Sequence, residues 1–347
     1  PPRSAEEPPM SRLSRPLSER KRRYDVVIVG SGYGGGVSAS RLARAGRSVA
    51  VLERGREILT GEFPAKFPDL KNEFRVSGGR VETGKETSLY DVRLGDDMHI
   101  VVGSGLGGGS LINAGVALKP DRRVFDDPVW PGQIRQDGLL QEGFRRAAAW
   151  LRPSPHPGAA TLPKYKALER AASDLKETIV ACPVAVSFDA SVNAAGVEQP
   201  ACTLCGDCCA GCNVGAKNTV AMTYLPDAAR HGAEIFTEVS VSHIERCEDG
   251  GWLVETRTVD DETGDSIRFE AGSVILAAGT LGSTEILLRS RERGLSVSDQ
   301  LGQRFSANGD IIAFGYGATE KINAIGVGHP AKIEGRAVGA TVSGQLE

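Results

Sequence analysis

The sequence predicts an α/β fold with a core of strands and helices, a mainly helical insertion and the start of a separate β-sheet. Near the N-terminus, an apolar strand, a glycine turn and an amphipathic helix follow one another directly. A second apolar strand followed by a glycine turn lies at Ser273 to Gly282. Between these two segments, apolar residues recur at helical spacing over Asp137 to Leu151 and Leu162 to Glu177. With 347 residues, the chain can form one large or two ordinary domains.

The balance of charge excludes some classes of partner. The chain has 41 basic and 44 acidic residues, so its net charge of -3 provides no positive field to hold nucleic acid. No apolar run reaches the ~18 residues that span a bilayer, so we expect no transmembrane segment. Residues 1–23 contain few apolar side chains, and we expect them to form a disordered leader. No signal peptide is visible, and we expect a cytoplasmic protein.

A dinucleotide-binding motif begins at the first predicted strand, Tyr24 to Val29. This strand runs directly into Gly30, Gly32 and Gly35, which form the pattern G-x-G-x-x-G before a helix. Gly30 allows the turn, Gly32 leaves room for a pyrophosphate against the backbone, and Gly35 lets the helix lie close to the strand. The N-terminus of the helix then faces the phosphates.

An acidic residue after the second strand indicates which nucleotide is bound. Val49 to Leu52 form this strand, and Glu53 follows it at the ~20-residue offset where a carboxylate accepts the ribose hydroxyls. A carboxylate at this position would repel a 2′-phosphate, so the residues favour FAD or NAD over NADP. The sequence therefore predicts a Rossmann-type core that binds an adenine dinucleotide.

A second glycine-rich block spans Val101 to Gly115 and reads VVGSGLGGGSLINAG. It resembles the block G-x-x-x-G-G-x-S-x-x-N of the glucose-methanol-choline (GMC) oxidoreductases, which runs under the flavin. The resemblance implies that FAD is the cofactor and that Ser110 and Asn113 lie beside its isoalloxazine ring. It also implies that glycine backbone in this block contacts the cofactor without side-chain clashes, and the glycines concerned are Gly103, Gly105, Gly108 and Gly109.

Later segments extend the resemblance to the rest of the chain. The stretch Ser273 to Gly282, SVILAAGTLG, is similar to the strand and turn with which GMC proteins return to the FAD domain, and it places Ala278 and Gly279 at the cofactor. Residues 308–310, Asn-Gly-Asp, are close to an element of the cholesterol-oxidase-like branch. The resemblance also implies that the strand Glu238 to Val241 contacts the adenine, through Val239 or Val241. A buried strand without a ligand is the alternative.

The resemblance implies oxidation of an alcohol, sterol-like or of another kind, with hydride transfer to flavin N5. In GMC enzymes, a histidine in a late motif takes the hydroxyl proton, and we expect this chain to stop before that catalytic segment. The dipeptide His329-Pro330 lacks the glycine-rich turn that follows in the family, so we interpret His329 as a surface histidine and nominate no catalytic base.

Five of the seven cysteines lie within residues 202–212. This crowding favours a metal or redox role in a reducing compartment over a disulfide scaffold. Four of them have the ferredoxin-type spacing C-x2-C-x2-C-x3-C, namely Cys202, Cys205, Cys208 and Cys212. An iron–sulfur cluster, a zinc site and metal-free thiols all stay open, although Asn213 replaces the proline of the ferredoxin run and zinc pairs usually lie further apart.

Some GMC members carry a similar cysteine-rich insertion that holds an iron–sulfur cluster. The resemblance therefore implies an electron exit to an acceptor protein or a quinone. A non-catalytic flavin and iron–sulfur protein that transfers electrons for a partner is the alternative function.

The predicted domains follow from these motifs. They are the leader (1–23), the first part of the FAD-binding domain (24–119), the helical insertion with the cysteine loop (120–218), the second part of the FAD-binding domain (219–291) and a partial substrate domain with alternating apolar residues (292–347).

Overall fold

The structure is a computed structural model that describes residues 11–136, 138–259, 266–306, 308–309, 313, 315, 317, 319–324, 326 and 337–346. The strands within these residues are β1 (Arg23–Val29), β2 (Val49–Leu52), β3 (Phe74–Gly78), β4 (Val81–Thr83), β5 (Tyr90–Leu94), β6 (His99–Gly103), β7 (Ser154–Pro155), β8 (Ile179–Ala181), β9 (Pro183–Val184), β10 (Ser191–Val192), β11 (Glu198–Gln199), β12 (Glu234–Phe236), β13 (Val239–Arg246), β14 (Trp252–Thr258), β15 (Ser266–Leu276) and β16 (Gly344–Leu346).

The α-helices are α1 (Tyr33–Arg44), α2 (Phe67–Leu70), α3 (Arg123–Asp126), α4 (Gly132–Gln136), α5 (Leu139–Leu151), α6 (Pro163–Leu175), α7 (Tyr224–Arg230) and α8 (Gly279–Glu292). Short 3₁₀-helical turns lie at Leu17–Glu19, Lys71–Glu73, Gly108–Ser110, Ala159–Thr161, Cys208–Ala210 and Val220–Met222. None of the described helices is long and apolar enough to cross a lipid bilayer.

A six-stranded sheet in the order β12-β2-β1-β15-β14-β13 forms the centre of the fold. Its first four strands are parallel, and β14 and β13 continue it in antiparallel pairing. Val27 and Ile28 in β1 are fully buried, as expected for a parallel strand covered on both faces. Ala39 and Ala43 of α1 pack in the apolar cluster on one face, and Ile286 of α8 packs on the other. The predicted α/β fold is confirmed.

Strand β15 pairs with different neighbours along its two halves. Its first half, Ser266 to Ala271, pairs antiparallel with β14 and forms a hairpin with it. Its second half, Glu270 to Leu276, pairs parallel with β1 and is the strand that returns the chain to the core. One continuous strand therefore carries the chain from the hairpin to the second glycine turn.

A second sheet has four strands in the order β4-β3-β5-β6, with both antiparallel and parallel pairs; we call it the small sheet. The sequence does not predict it. Ion pairs connect it and its loops to the rest of the chain. The pairs are Arg56 with Glu73 at 2.6 Å, Arg54 with Asp91 at 2.7 Å, and Arg257 with Glu86 at 2.7 Å. An apolar cluster that includes Leu89, Tyr90, Phe63 and Leu111 adds to these charged contacts.

Helices α3 to α6 lie within the predicted helical insertion and make up about a third of its residues, and the short strands β7 to β11 lie there as well. Strand β16 pairs antiparallel with β8, so the last described segment packs on this insertion. The substrate-domain strands predicted around residues 311–316, and His329 with Pro330, lie outside the described residues. The domain boundaries themselves stay predictions.

Residues 11–22 differ from the disordered leader expected there. The backbone N–H groups of Leu13 and Ser14 donate to the carboxylate of Glu57 at 2.7 and 3.0 Å, and Arg15 N donates to the carbonyl of Ile235 at 2.8 Å. Ile235 lies in the edge strand β12, whose outer backbone groups need partners. Pairing with this edge and with a nearly buried carboxylate orders a segment that has little apolar content of its own.

Candidate cofactor site

A cavity of about 340 Å³ lies at the carboxyl ends of β1, β2 and β15. Ligands bind at this edge in open α/β sheets, because loops and helix N-termini converge there. Nine of the predicted cofactor residues line the cavity. From the first motif these are Gly30, Gly32 and Glu53, and from the second glycine block they are Gly103, Gly108 and Gly109. Val239, Ala278 and Gly279 line it from the later segments.

Glycine is required at two positions of the turn between β1 and α1. Gly30 has φ +95°, and a Cβ built on it would lie 2.4 Å from the carbonyl oxygen of Ala277. A Cβ on Gly35 would lie 1.9 Å from the carbonyl oxygen of Gly30. The contact at Gly30 brings the turn after β1 against the end of β15, and the contact at Gly35 brings α1 against that turn, at distances that no side chain permits.

The cavity wall fits the pyrophosphate of a dinucleotide. At Gly32, Gly109 and Gly279, no atom lies within 4 Å of the position that a Cβ would take. Their backbone therefore faces open space that a side chain would fill. Gly32 is also the N-cap of α1 and offers no capping side chain, so the first N–H groups of this helix lack a side-chain acceptor among the described residues. Such helix ends bind phosphate groups.

Glu53 is placed to hold a ribose. Only 7% of the residue is exposed, and its two carboxylate oxygens accept hydrogen bonds from the protein: Oε2 from Ser31 and Oε1 from the N–H of Gly55 at 2.8 Å. A carboxylate has about four acceptor positions, so capacity remains on the side that faces the cavity. The structure thus orients the acid before any ligand arrives.

A comparison with known families identifies the chain. It matches the family model described as GMC oxidoreductase over residues 24–307. The chain belongs to the GMC oxidoreductase family. FAD is the cofactor that this membership implies, and the open glycine backbone and the oriented acid of the cavity fit it.

Several relatives of this GMC chain are oxidases. It is 32% identical over 322 residues to a cholesterol oxidase from Mycobacterium tuberculosis, an alignment that covers 86% of this chain and 54% of that protein. A long-chain-alcohol oxidase from Arabidopsis thaliana is 25% identical over 311 residues, which covers 85% of this chain and 37% of the relative. The chain thus spans about half the length of the cholesterol oxidases it matches.

The solved structure of a fungal aryl-alcohol oxidase matches this chain with a TM-score of 0.52 and 15% identity. The match covers 78% of this chain and 48% of that one, and it shows the shared GMC fold.

Four predicted cofactor residues do not line the cavity, namely Gly35, Gly105, Ser110 and Asn113. The hydroxyl of Ser110 is fully buried, donates to the carbonyl of Gly107 at 2.7 Å and accepts from the N–H of Val220 at 3.0 Å. It therefore connects the second glycine block to the segment before α7. The cofactor contacts expected of these four residues stay predictions.

Charged residues at the cavity were missed by sequence reasoning. Asp91 of the small sheet lines it, and its Oδ2 accepts hydrogen bonds from Arg54 at 2.7 Å and Arg93 at 3.0 Å. Burial alone would raise the pKa of Asp91, but the two guanidinium groups hold it below its ordinary value. Glu285 of α8 lies 3.7 Å from Arg93 across the cavity. No motif marks Asp91 and Arg93, because they reach the site from a sheet whose position depends on the tertiary fold.

The cysteine segment does not support the predicted metal site at Cys202, Cys205, Cys208 and Cys212. Among the described residues, which include all seven cysteines, no three or more His, Cys, Asp or Glu side chains form a group that could hold a metal ion. All seven cysteines are free thiols. Burial raises the pKa of Cys202 to about 12 and also raises that of Cys205, and both thiols interact electrostatically with Cys208 and Cys212. Cys202 and Cys212 pack against an apolar cluster. A metal site at the four cysteines stays a prediction.

A lysine that sequence reasoning did not single out connects the cysteine segment to the second glycine block. Lys217 is 2% exposed, and its Nζ donates to the backbone carbonyls of Leu111 at 3.0 Å, Asn113 at 2.6 Å and Cys208 at 2.9 Å. All three ammonium hydrogens thus have acceptors. Burial lowers the pKa of Lys217 to about 8.

Proposed function

We propose that this chain is the FAD-binding part of a GMC oxidoreductase that oxidises an alcohol by hydride transfer to flavin N5. The observation that carries the proposal is the cavity at the carboxyl ends of β1, β2 and β15, where open glycine backbone lies next to an oriented carboxylate. When bound, FAD supplies the two-electron acceptor for such a reaction.

The residues of this chain bind and orient the cofactor. The backbone at Gly32 and the N-terminus of α1 hold the pyrophosphate, and Glu53 accepts hydrogen bonds from the ribose. Val239 and Val241, which line the same cavity, provide an apolar surface for the adenine. These contacts fix the position of the flavin relative to the second glycine block.

The relatives suggest the class of substrate. Cholesterol oxidases and long-chain-alcohol oxidases, as their names state, act on large apolar alcohols. We therefore propose a sterol or long-chain alcohol as the donor. The expected iron–sulfur electron path is not part of this proposal, because the described cysteines form no metal-binding group.

Flavin absorbance of the purified chain tests the cofactor assignment. We expect about one FAD per chain after FAD is supplied and the excess removed, and no stoichiometric iron. The matched control is Gly32→Val, whose side chain would occupy the open space at the pyrophosphate and prevent uptake. Protein that stays colourless with excess FAD would overturn the proposal.

Anaerobic reduction tests the reaction on a protein that also carries the late histidine segment of the family, because this chain spans about half the length of the cholesterol oxidases it matches. We expect cholesterol or a long-chain primary alcohol to bleach the flavin absorbance of that protein, with dithionite as the positive control. Bleaching by dithionite alone would contradict alcohol oxidation and would favour an electron-transfer role. Because FAD uptake is measured first, failure of binding and failure of oxidation are distinguished.

A further inference from the structure

The hydroxyl of Tyr33 joins the two glycine-rich segments of the site. Tyr33 is the first residue of α1, directly after Gly32, and it lines the cavity. Asn113 lies near the end of the second glycine block, and its Nδ2 donates a hydrogen bond to the Tyr33 hydroxyl oxygen at 3.0 Å. One contact therefore connects the pyrophosphate turn to the block expected beside the flavin.

Asn113 is itself held on several sides. Its Oδ1 accepts from the N–H of Gly115 at 3.1 Å, and its own N–H donates to the carbonyl of Gly109 at 3.0 Å. Its backbone carbonyl accepts from Nζ of Lys217 at 2.6 Å. Main chain and side chain of Asn113 are thus both fixed, so its amide is a rigid support for the hydroxyl of Tyr33.

The bond from Asn113 leaves the Tyr33 hydrogen available. A phenol hydroxyl has one hydrogen and two lone pairs, and Asn113 occupies a lone pair. Among the residues that the structure describes, none accepts the Tyr33 hydrogen. Tyr33 is 40% exposed, and a phenol with an ordinary pKa of about 10 keeps this hydrogen at neutral pH. A donor at the cavity, oriented by a fixed amide, suits an acceptor oxygen of the ligand.

We propose that Tyr33 binds the dinucleotide through its hydroxyl hydrogen and that Asn113 is the positioning residue that orients this hydroxyl. The proposal rests on the FAD site described above. The acceptor is an oxygen of the dinucleotide, either on the pyrophosphate or on the polar edge of the flavin.

Titration calorimetry with FAD and with ADP tests this assignment on Tyr33→Phe, Asn113→Ala and the double variant. Tyr33→Phe removes only the hydroxyl, and loss of one hydrogen bond raises the Kd for FAD about 5- to 10-fold. Because Asn113 acts through Tyr33, Asn113→Ala changes the Kd by less than about 2-fold once the hydroxyl is gone. Tyr165→Phe, in an apolar cluster of the insertion, is the control with unchanged Kd.

Comparing the two ligands locates the acceptor. An equal loss of ADP and FAD affinity in Tyr33→Phe assigns the contact to the pyrophosphate, and a loss for FAD alone assigns it to the flavin. Unchanged affinity for both ligands, in a variant with the melting temperature of the wild type, overturns the proposal. The proposal is also overturned if Asn113→Ala raises the Kd as much in the Tyr33→Phe variant as in the wild type. If the wild-type protein binds neither ligand, the FAD site itself fails.

Discussion

Ser31 holds the carboxylate of Glu53 with two hydrogen bonds. Oε2 of Glu53 accepts from the backbone N–H of Ser31 at 3.0 Å and from its hydroxyl at 2.6 Å. The same hydroxyl oxygen accepts from the N–H of Gly107 at 2.9 Å. Ser31 follows β1, Glu53 follows β2 and Gly107 lies in the second glycine block, so this serine joins three segments of the cofactor site.

Replacing Ser31 by Ala should destabilise the protein. Ser31 is fully buried, and its loss leaves the N–H of Gly107 without a partner, which costs about 1–3 kcal/mol. Urea unfolding measures this change, and calorimetry should show weaker FAD binding because Glu53 loses an orienting contact. Ser298→Ala removes an exposed hydroxyl and should stay within about 0.5 kcal/mol of the wild type. Equal unfolding midpoints for both variants would contradict the role of Ser31.

Valine at Gly32 and at Gly35 should give opposite results. No atom lies within 4 Å of a Cβ on Gly32, so Gly32→Val should fold and lose FAD uptake. A Cβ on Gly35 lies 1.9 Å from a backbone oxygen, so Gly35→Val should lose cooperative unfolding. Thermal melts and flavin absorbance report the two effects separately. A Gly32→Val protein with normal flavin content would refute the pyrophosphate assignment.

Asp91→Asn should detach the small sheet from the cavity. The carboxylate is 2% exposed and bonds Arg54 and Arg93, so its removal takes away the carboxylate partner of Arg54, while Arg93 retains Glu285 at 3.7 Å. Breaking such a buried pair costs about 3 kcal/mol of folding stability. This value is the low end of the usual range, because both arginines are partly exposed. Asp121→Asn, which breaks an exposed pair with Arg123, is the control and should leave the melting temperature unchanged. Similar melting temperatures for the two variants would argue against this anchoring role.

The stability of the protein should depend on the charge of Lys217. Its pKa is about 8 in the folded chain and about 10.5 when unfolded, so between these values the unfolded chain binds the extra proton. The free energy of unfolding therefore rises with pH across this window and is independent of this group below pH 8. Relative to Lys217→Met, the rise should be on the order of 3 kcal/mol.

Urea unfolding at pH 7, 8.5 and 10 measures this difference. Burial also lowers the pKa of Lys164 to about 8, but Lys164 is present in both proteins and cancels in the comparison. Parallel stability curves for wild type and Lys217→Met would show that Lys217 does not titrate in this range.

The first motif was predictable because its signals are local. Strand β2 spans Val49–Leu52 as expected, and Gly30 and Gly35 occupy the close contacts expected of them. Tight turns require glycine and buried parallel strands require apolar residues at consecutive positions, so both can be recognised in the sequence.

The cysteine segment shows where local spacing is insufficient. Ferredoxin-type spacing permits a cluster, but a metal site also requires the thiols to converge with the geometry of ligands, and the described residues form no such group. Here Cys202 and Cys212 pack against apolar residues, and Lys217 binds the backbone of Cys208. These surroundings come from segments distant in sequence, which spacing does not report.

The sequence by itself determined the α/β core, the phosphate-binding turn and the acid at Glu53. Only the tertiary structure decided that Asp91 and Arg93 reach the cavity, that Ser110 is an internal connector, and that Tyr33 contacts Asn113. The physical reason is the range of the interactions. Backbone geometry is set by neighbouring residues, whereas hydrogen bonds and ion pairs between segments 80 to 192 residues apart exist only after the chain has packed.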